Sequence, residues 1–150
     1  MTRPALAAQQ DLLVVVLDTL VPADAGFPGA GAVAVDHVLA AAAASPDMDR
    51  LLDDGLHAVA QATRVVGAAA LASLSVDDRE AVLRRVEQSH AAFFEALVGH
   101  TYDGYYSHPT VIARLGLDPS PLHPRGHRVE TVDAPDLARV AARGPLYRRA

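Results

Sequence analysis

Cysteine is absent from this 150-residue chain, and so is lysine. Without cysteine there is no disulfide, no thiolate metal site and no cysteine nucleophile, a usage that fits a reducing compartment. Without lysine, Schiff-base chemistry and lysine-based phosphate loops are excluded, and all 13 basic residues are arginine. Positive charge is scarce overall: the net charge is −5, the opposite of the basic field that nucleic-acid-binding domains carry. The exception is a cluster of Arg139, Arg143, Arg148 and Arg149, read as a solvated basic end or as partners for carboxylates on another surface. Long apolar runs are missing too. Leu12 to Leu17 is bracketed by Asp11 and Asp18 and is far too short to cross a bilayer. Arg3 alone is a weak start for an export signal, with no twin arginine before it and no cleavage site after it. No signal peptide is expected, and the expected location is cytoplasmic, or periplasmic only by export with a partner.

What the chain does have is apolar mass, 51% of its residues, enough for one domain with a real core. The apolar spacing predicts an all-α fold: a compact domain of about four main helices, followed by a proline-rich extended tail with short helices. Leu13, Leu17 and Leu20 form one stripe of a first helix over 6–20, which Pro22 ends. A second helix is expected over 31–44, burying Val35, Val38 and Leu39. Ser45-Pro46-Asp47 is a strong helix start, with a capping serine, a proline at the first position and an aspartate near the positive helix end. The third helix then buries Leu52, Leu56, Val59, Thr63 and Val66. Ser75-Val76-Asp77-Asp78 opens a fourth helix carrying Val82, Val86, His90, Phe93 and Leu97, running to about Thr101, with His90 as a hydrogen-bonded core histidine. Residues 1–104 read as the helical core. Residues 105–150 read as an irregular tail lying on the core and on a partner, with a short helix from Pro109 to near Gly116 and another over 136–143. The stretch 118–130 should be mostly extended.

Aromatic residues make up only 5% of the chain, yet residues 93–109 hold two of the three phenylalanines and three of the four tyrosines. Large rigid rings carry a disproportionate share of packing and recognition energy. Phe93 and Phe94 at helical spacing read as core. Tyr105 and Tyr106 follow Gly104 out of the expected helix, so at least one should face away from the core. Catalytic sets are thin. Ser107 beside His108 is no triad, no Gly-x-Ser-x-Gly elbow exists, and Phe27-Pro28-Gly29-Ala30-Gly31 reads as a helix–helix connection. Asp53-Asp54 and Asp77-Asp78 read as charge decoration of helix starts and polar faces. His123 and His127 are four apart, but Pro124 and Gly126 oppose a helix that would align them, so no metal site is expected.

Two segments resemble a known family. Leu17-Asp18-Thr19-Leu20-Val21-Pro22-Ala23-Asp24 with Phe27-Pro28-Gly29-Ala30, and Phe93-Phe94 through His100-Thr101 to Gly104-Tyr105-Tyr106-Ser107-His108-Pro109, are similar to the two signatures of the gluconate 2-dehydrogenase subunit 3 family. The ending, with Pro124-Arg125-Gly126-His127 and Arg143-Gly144-Pro145-Leu146-Tyr147, looks like a divergent C-terminal branch. The resemblance implies a non-catalytic accessory subunit. It would stabilise a flavin-dependent large subunit of the GMC oxidoreductase type acting on alcohol groups of a sugar, polyol or related compound. FAD would sit in that partner and no cofactor in this chain. The expected contact residues are His100, Tyr105, Tyr106, His108, Pro109, Pro124, Arg125, Gly126, His127, Arg143 and Tyr147, with none of them catalytic. The alternative is a stand-alone helical enzyme, or a small-molecule or metal-binding module, using His100, Tyr105, Tyr106 and His108.

Overall fold

A computed structural model describes residues 3–118 and 142–143. The chain divides into two compact units, residues 1–119 and 120–150. Among the described residues of the first, seven helices follow in order: α1 (Arg3–Leu20), α2 (Ala30–Val33), α3 (Val35–Ala44), α4 (Pro46–Val65), α5 (Val76–Ser89), α6 (Ala91–Ser107) and α7 (Pro109–Arg114). A single 3₁₀ turn, Leu71–Ser73, lies between α4 and α5. No strand occurs among the described residues, so the all-α expectation holds. In the second unit only 142–143 are described, as an exposed turn, so the extended stretch and most of the helix expected over 136–143 lie outside the described residues.

The helix starts are those the capping residues announce. The Ser45 hydroxyl accepts from the Met48 amide at 3.3 Å and Pro46 takes the first helical position, where its missing N–H costs nothing. The Ser75 hydroxyl accepts from the Asp78 amide at 3.2 Å and donates to the Asp78 carboxylate at 2.7 Å. α4 ends on Gly67, whose φ of 82° lets the Ala68 and Gly67 amides fold back onto the carbonyls of Thr63 and Arg64. Gly116, at φ 75°, ends α7 the same way, returning the Leu117 and Gly116 amides to Ile112 and Ala113.

The core is shared by all the long helices. Leu13, Val16 and Leu17 of α1, Val38 of α3, Leu52, Leu56 and Val59 of α4, Val82, Leu83 and Val86 of α5, and Phe93 and Leu97 of α6 are buried together. Thr63 and Thr101, also buried, satisfy their hydroxyls on the carbonyls one turn back, Val59 and Leu97. Gly55 makes room where α4 crosses α6, since a Cβ there would overlap the Phe93 ring.

Four details depart from the periodicity. The helix expected over 31–44 is two: the backbone loosens at Ala34 (φ −107°, ψ −14°) although its amide and carbonyl still make helical bonds to Ala30 and Val38. The kink lets α2 lie against α1 while α3 turns onto α4 and α6. The helix expected from Ser75 to Thr101 is likewise two, broken at His90 (φ −133°, ψ 52°). There the Ser89 hydroxyl bonds the Arg85 and Val86 carbonyls and the His90 ring, and His90 is exposed rather than a core histidine. Val66 is half-exposed because α4 has already stopped at Val65. Finally, α6 does not end at Thr101: it runs through Gly104, Tyr105 and Tyr106 to Ser107.

Candidate functional site

The two sequence signatures, some 77 residues apart, meet at one corner of the domain. The first forms the connection between α1 and α2. Asp24 and Phe27 exchange backbone hydrogen bonds at 2.7 and 3.2 Å around Ala25 (φ 46°) and Gly26 (φ 85°). Positive φ at both central residues is the geometry of a primed tight turn, and glycine at the second of them takes it without strain. The Ala30 amide then reaches back to the Val21 carbonyl at 2.9 Å, closing the loop.

Asp18 and two glycines lock this loop to α1. The Asp18 carboxylate accepts from the Gly31 amide at 2.8 Å, placing an acidic group at the start of α2. A Cβ on Gly31 would sit 2.6 Å from the Val14 carbonyl oxygen, and a Cβ on Gly29 would collide with the Asp18 carboxylate. Both positions therefore require glycine for close approach, independent of φ. The connection is a built structure, more specific than a plain linker between helices.

The second signature docks onto it from α6. Tyr105 is buried, and its hydroxyl donates to the Pro28 carbonyl at 2.9 Å. Burial first, and the neighbouring Tyr106 second, raise its phenol above the ordinary value of 10.0, so it stays a neutral donor. Gly104 allows the approach: a Cβ there would lie 2.7 Å from the Cβ of His37 and 3.2 Å from that of Ala34. His108 is half-buried and caps α7, its Nδ1 accepting from the Thr110 amide at 3.3 Å, while Pro109 occupies the first helical position.

Tyr106 faces the other way, 56% exposed, edge-on to Tyr105 at 5.3 Å between ring centroids and 6.0 Å from the half-exposed Tyr102. The expectation that one of the pair points outward is met, although both stand on the helix rather than beyond it. Leu115 and Leu117, at the end of α7, are also largely exposed.

His100 completes the picture on a neighbouring face. It is half-buried, its ring 5.9 Å from that of His37 on α3, and its Nδ1 is shielded from solvent with no hydrogen-bond partner among the described residues. Leaving such an atom unpaired costs on the order of 1–3 kcal/mol. Sequence reading singled out His100 but not its neighbours His37 and Asp103. The His100–Asp103 spacing of three, which puts both on one helix face, was the signal available. Likewise missed were Asp18, Gly31 and the Pro28 carbonyl as the partners that fix the corner.

Of the other expected contact residues, Arg143 is exposed in its turn, and Pro124, Arg125, Gly126, His127 and Tyr147 lie outside the described residues, as do His123 and the end cluster except Arg143. Two grooves of the first unit lie elsewhere, one lined by Gln9, Leu39, Arg50 and Asp53, the other by Asp11, Thr63, Arg64 and Leu71. Neither contains a histidine or a tyrosine. His100, Tyr105, Tyr106 and His108 thus do not converge on a common cleft among the described residues: one meets His37, one is spent on Pro28, one faces solvent and one caps a helix.

The family model of gluconate 2-dehydrogenase subunit 3 matches residues 7–119. No curated protein and no solved structure matches the chain.

Proposed function

Since the chain belongs to the gluconate 2-dehydrogenase subunit 3 family, and so to the accessory subunits of dehydrogenase complexes, we propose that it is the non-catalytic small subunit of a flavoprotein complex. Its partner is a larger GMC-type oxidoreductase that holds FAD and oxidises an alcohol group of a sugar, polyol or related compound. This chain contributes a contact surface rather than reacting groups.

The observation that carries the reading is the contrast within the second signature. Its inner residues, Phe93, Leu97, Thr101, Gly104 and Tyr105, are consumed by the core and by the loop of the first signature. Its outer tyrosines, 102 and 106, lie tilted against each other with about half of each side chain open to solvent. Exposed tyrosines with an apolar face and a polar hydroxyl suit a protein interface. Leu115 and Leu117 add apolar surface just beyond. No helix among the described residues is long and apolar enough to cross a membrane.

Co-expression with a GMC-type flavoprotein from the same genome, followed by size-exclusion chromatography with a flavin absorbance trace, tests the proposal. The expected result is co-elution of the small chain with a larger yellow protein, and loss of oxidase or dehydrogenase activity and solubility of that protein when the small chain is omitted. Turnover of an alcohol substrate by the isolated chain, or a flavoprotein that is equally soluble and active without it, would overturn the reading.

A further inference from the structure

We propose that His37, His100 and Asp103 form a binding site for a divalent first-row transition cation of the zinc type, bridging α3 and α6. One ring nitrogen from each histidine and one carboxylate oxygen lie within 4.8 Å of one another. His100 and Asp103 are three apart on α6 and so share a face, and His37 reaches them from α3. Two imidazoles and one carboxylate are the donor set that zinc and its neighbours prefer, with at least one coordination position left open.

Three independent features point to a ligand there. The first is the buried, unpartnered Nδ1 of His100, a polar atom the fold has removed from water without giving it a protein partner. The second is Gly104. Any side chain at that position would strike His37 and Ala34, so the glycine is what allows α3 and α6 close enough to bring the three donors together. The third is availability: among the described residues the Asp103 carboxylate makes no hydrogen bond or ion pair, and neither does the His37 ring, so both donors are unspent. Both are exposed and can rotate. Metal–donor distances of about 2.0–2.2 Å place tetrahedral donors roughly 3.3 Å apart, so closure from the present spacing is a movement of about 1.5 Å at most.

The cation would link helices drawn from the two halves of the sequence and would stabilise the folded chain in proportion to its occupancy. Protons compete with it for the imidazoles, so binding weakens as the pH falls.

The test is calorimetric titration of the chelator-treated full chain with Zn²⁺, and with Co²⁺ for its visible spectrum. The expected result is one equivalent bound, a raised thermal midpoint, and a cobalt spectrum of low coordination number. His37→Gln and Asp103→Asn, both at exposed positions, should each weaken Zn²⁺ binding at least about tenfold and abolish the thermal shift while leaving the circular dichroism unchanged. His57→Gln, on α4, should change neither. His100→Gln is the more disruptive variant because the ring is half-buried, so the two exposed variants carry the decision. Absence of a stoichiometric site, or equal binding by the wild type, His37→Gln and Asp103→Asn, would overturn the proposal.

Discussion

Tyr105 and Tyr106 are adjacent in sequence and opposite in environment. Tyr105 is 5% exposed and tied to a carbonyl 77 residues away; Tyr106 is 56% exposed and meets the rings of Tyr102 and Tyr105. The same contrast runs along the whole of α6. Its inner face, from Phe93 to Tyr105, holds the domain together, and its outer face carries Tyr102, Asp103 and Tyr106. Residues on the inner face act on function only through stability. Residues on the outer face are the ones free to bind. Composition alone cannot separate these roles, because both faces use the same residue type.

Four substitutions, in three variants, sharpen or break that division. The largest stability effect is expected for Leu97→Ala, which empties a fully buried position where α6 meets the core and should cost about 2–5 kcal/mol in a denaturant or thermal melt. A cost below about 1 kcal/mol would mean that the inner face of α6 is not part of the core. Next comes Tyr105→Phe, which removes the bond to Pro28 and should cost about 1 kcal/mol at neutral pH. It should also change the alkaline limb. The folded state holds the Tyr105 proton more tightly than the ordinary 10.0, so above about pH 10 the unfolded chain binds fewer protons and stability falls as the pH rises. In the phenylalanine variant that part of the fall is gone, as melts across about pH 9 to 11, one unit either side of the ordinary phenol value, would show. The smallest stability effect belongs to Tyr106→Ala with Tyr102→Ala, within about 0.5 kcal/mol each. The same pair should weaken co-elution with the proposed flavoprotein partner most, by about 2 kcal/mol if either ring is an interface anchor. Loss of folding in the double variant would place the outer tyrosines in the core's service and remove the distinction.

Much of the fold is legible in the sequence, and the misses share one cause. Ser45-Pro46 and Ser75 mark helix starts because their side chains satisfy amides only a turn away, so the information is local. The breaks at Ala34 and His90 carry no proline, and the apolar spacing continues through both. They exist because the helices on either side pack on different neighbours, and periodicity cannot report which neighbour a helix will find. The extension of α6 past Thr101 has the same origin. Gly104 suggests a stop when read locally, yet it serves as the place where α6 presses against His37 and Ala34.

Family membership and the all-α architecture were set by the sequence alone, because two signatures and a helical apolar period survive without any knowledge of contacts. The absence of cysteine and lysine likewise excludes whole chemistries whatever the fold. Only the tertiary structure could decide that the two signatures form one corner, that Tyr105 is a strut while Tyr106 is a surface, and that His37 joins His100 and Asp103. Those facts depend on which helices meet and at what distance, and glycines at 29, 31 and 104 set that distance through side chains they do not have.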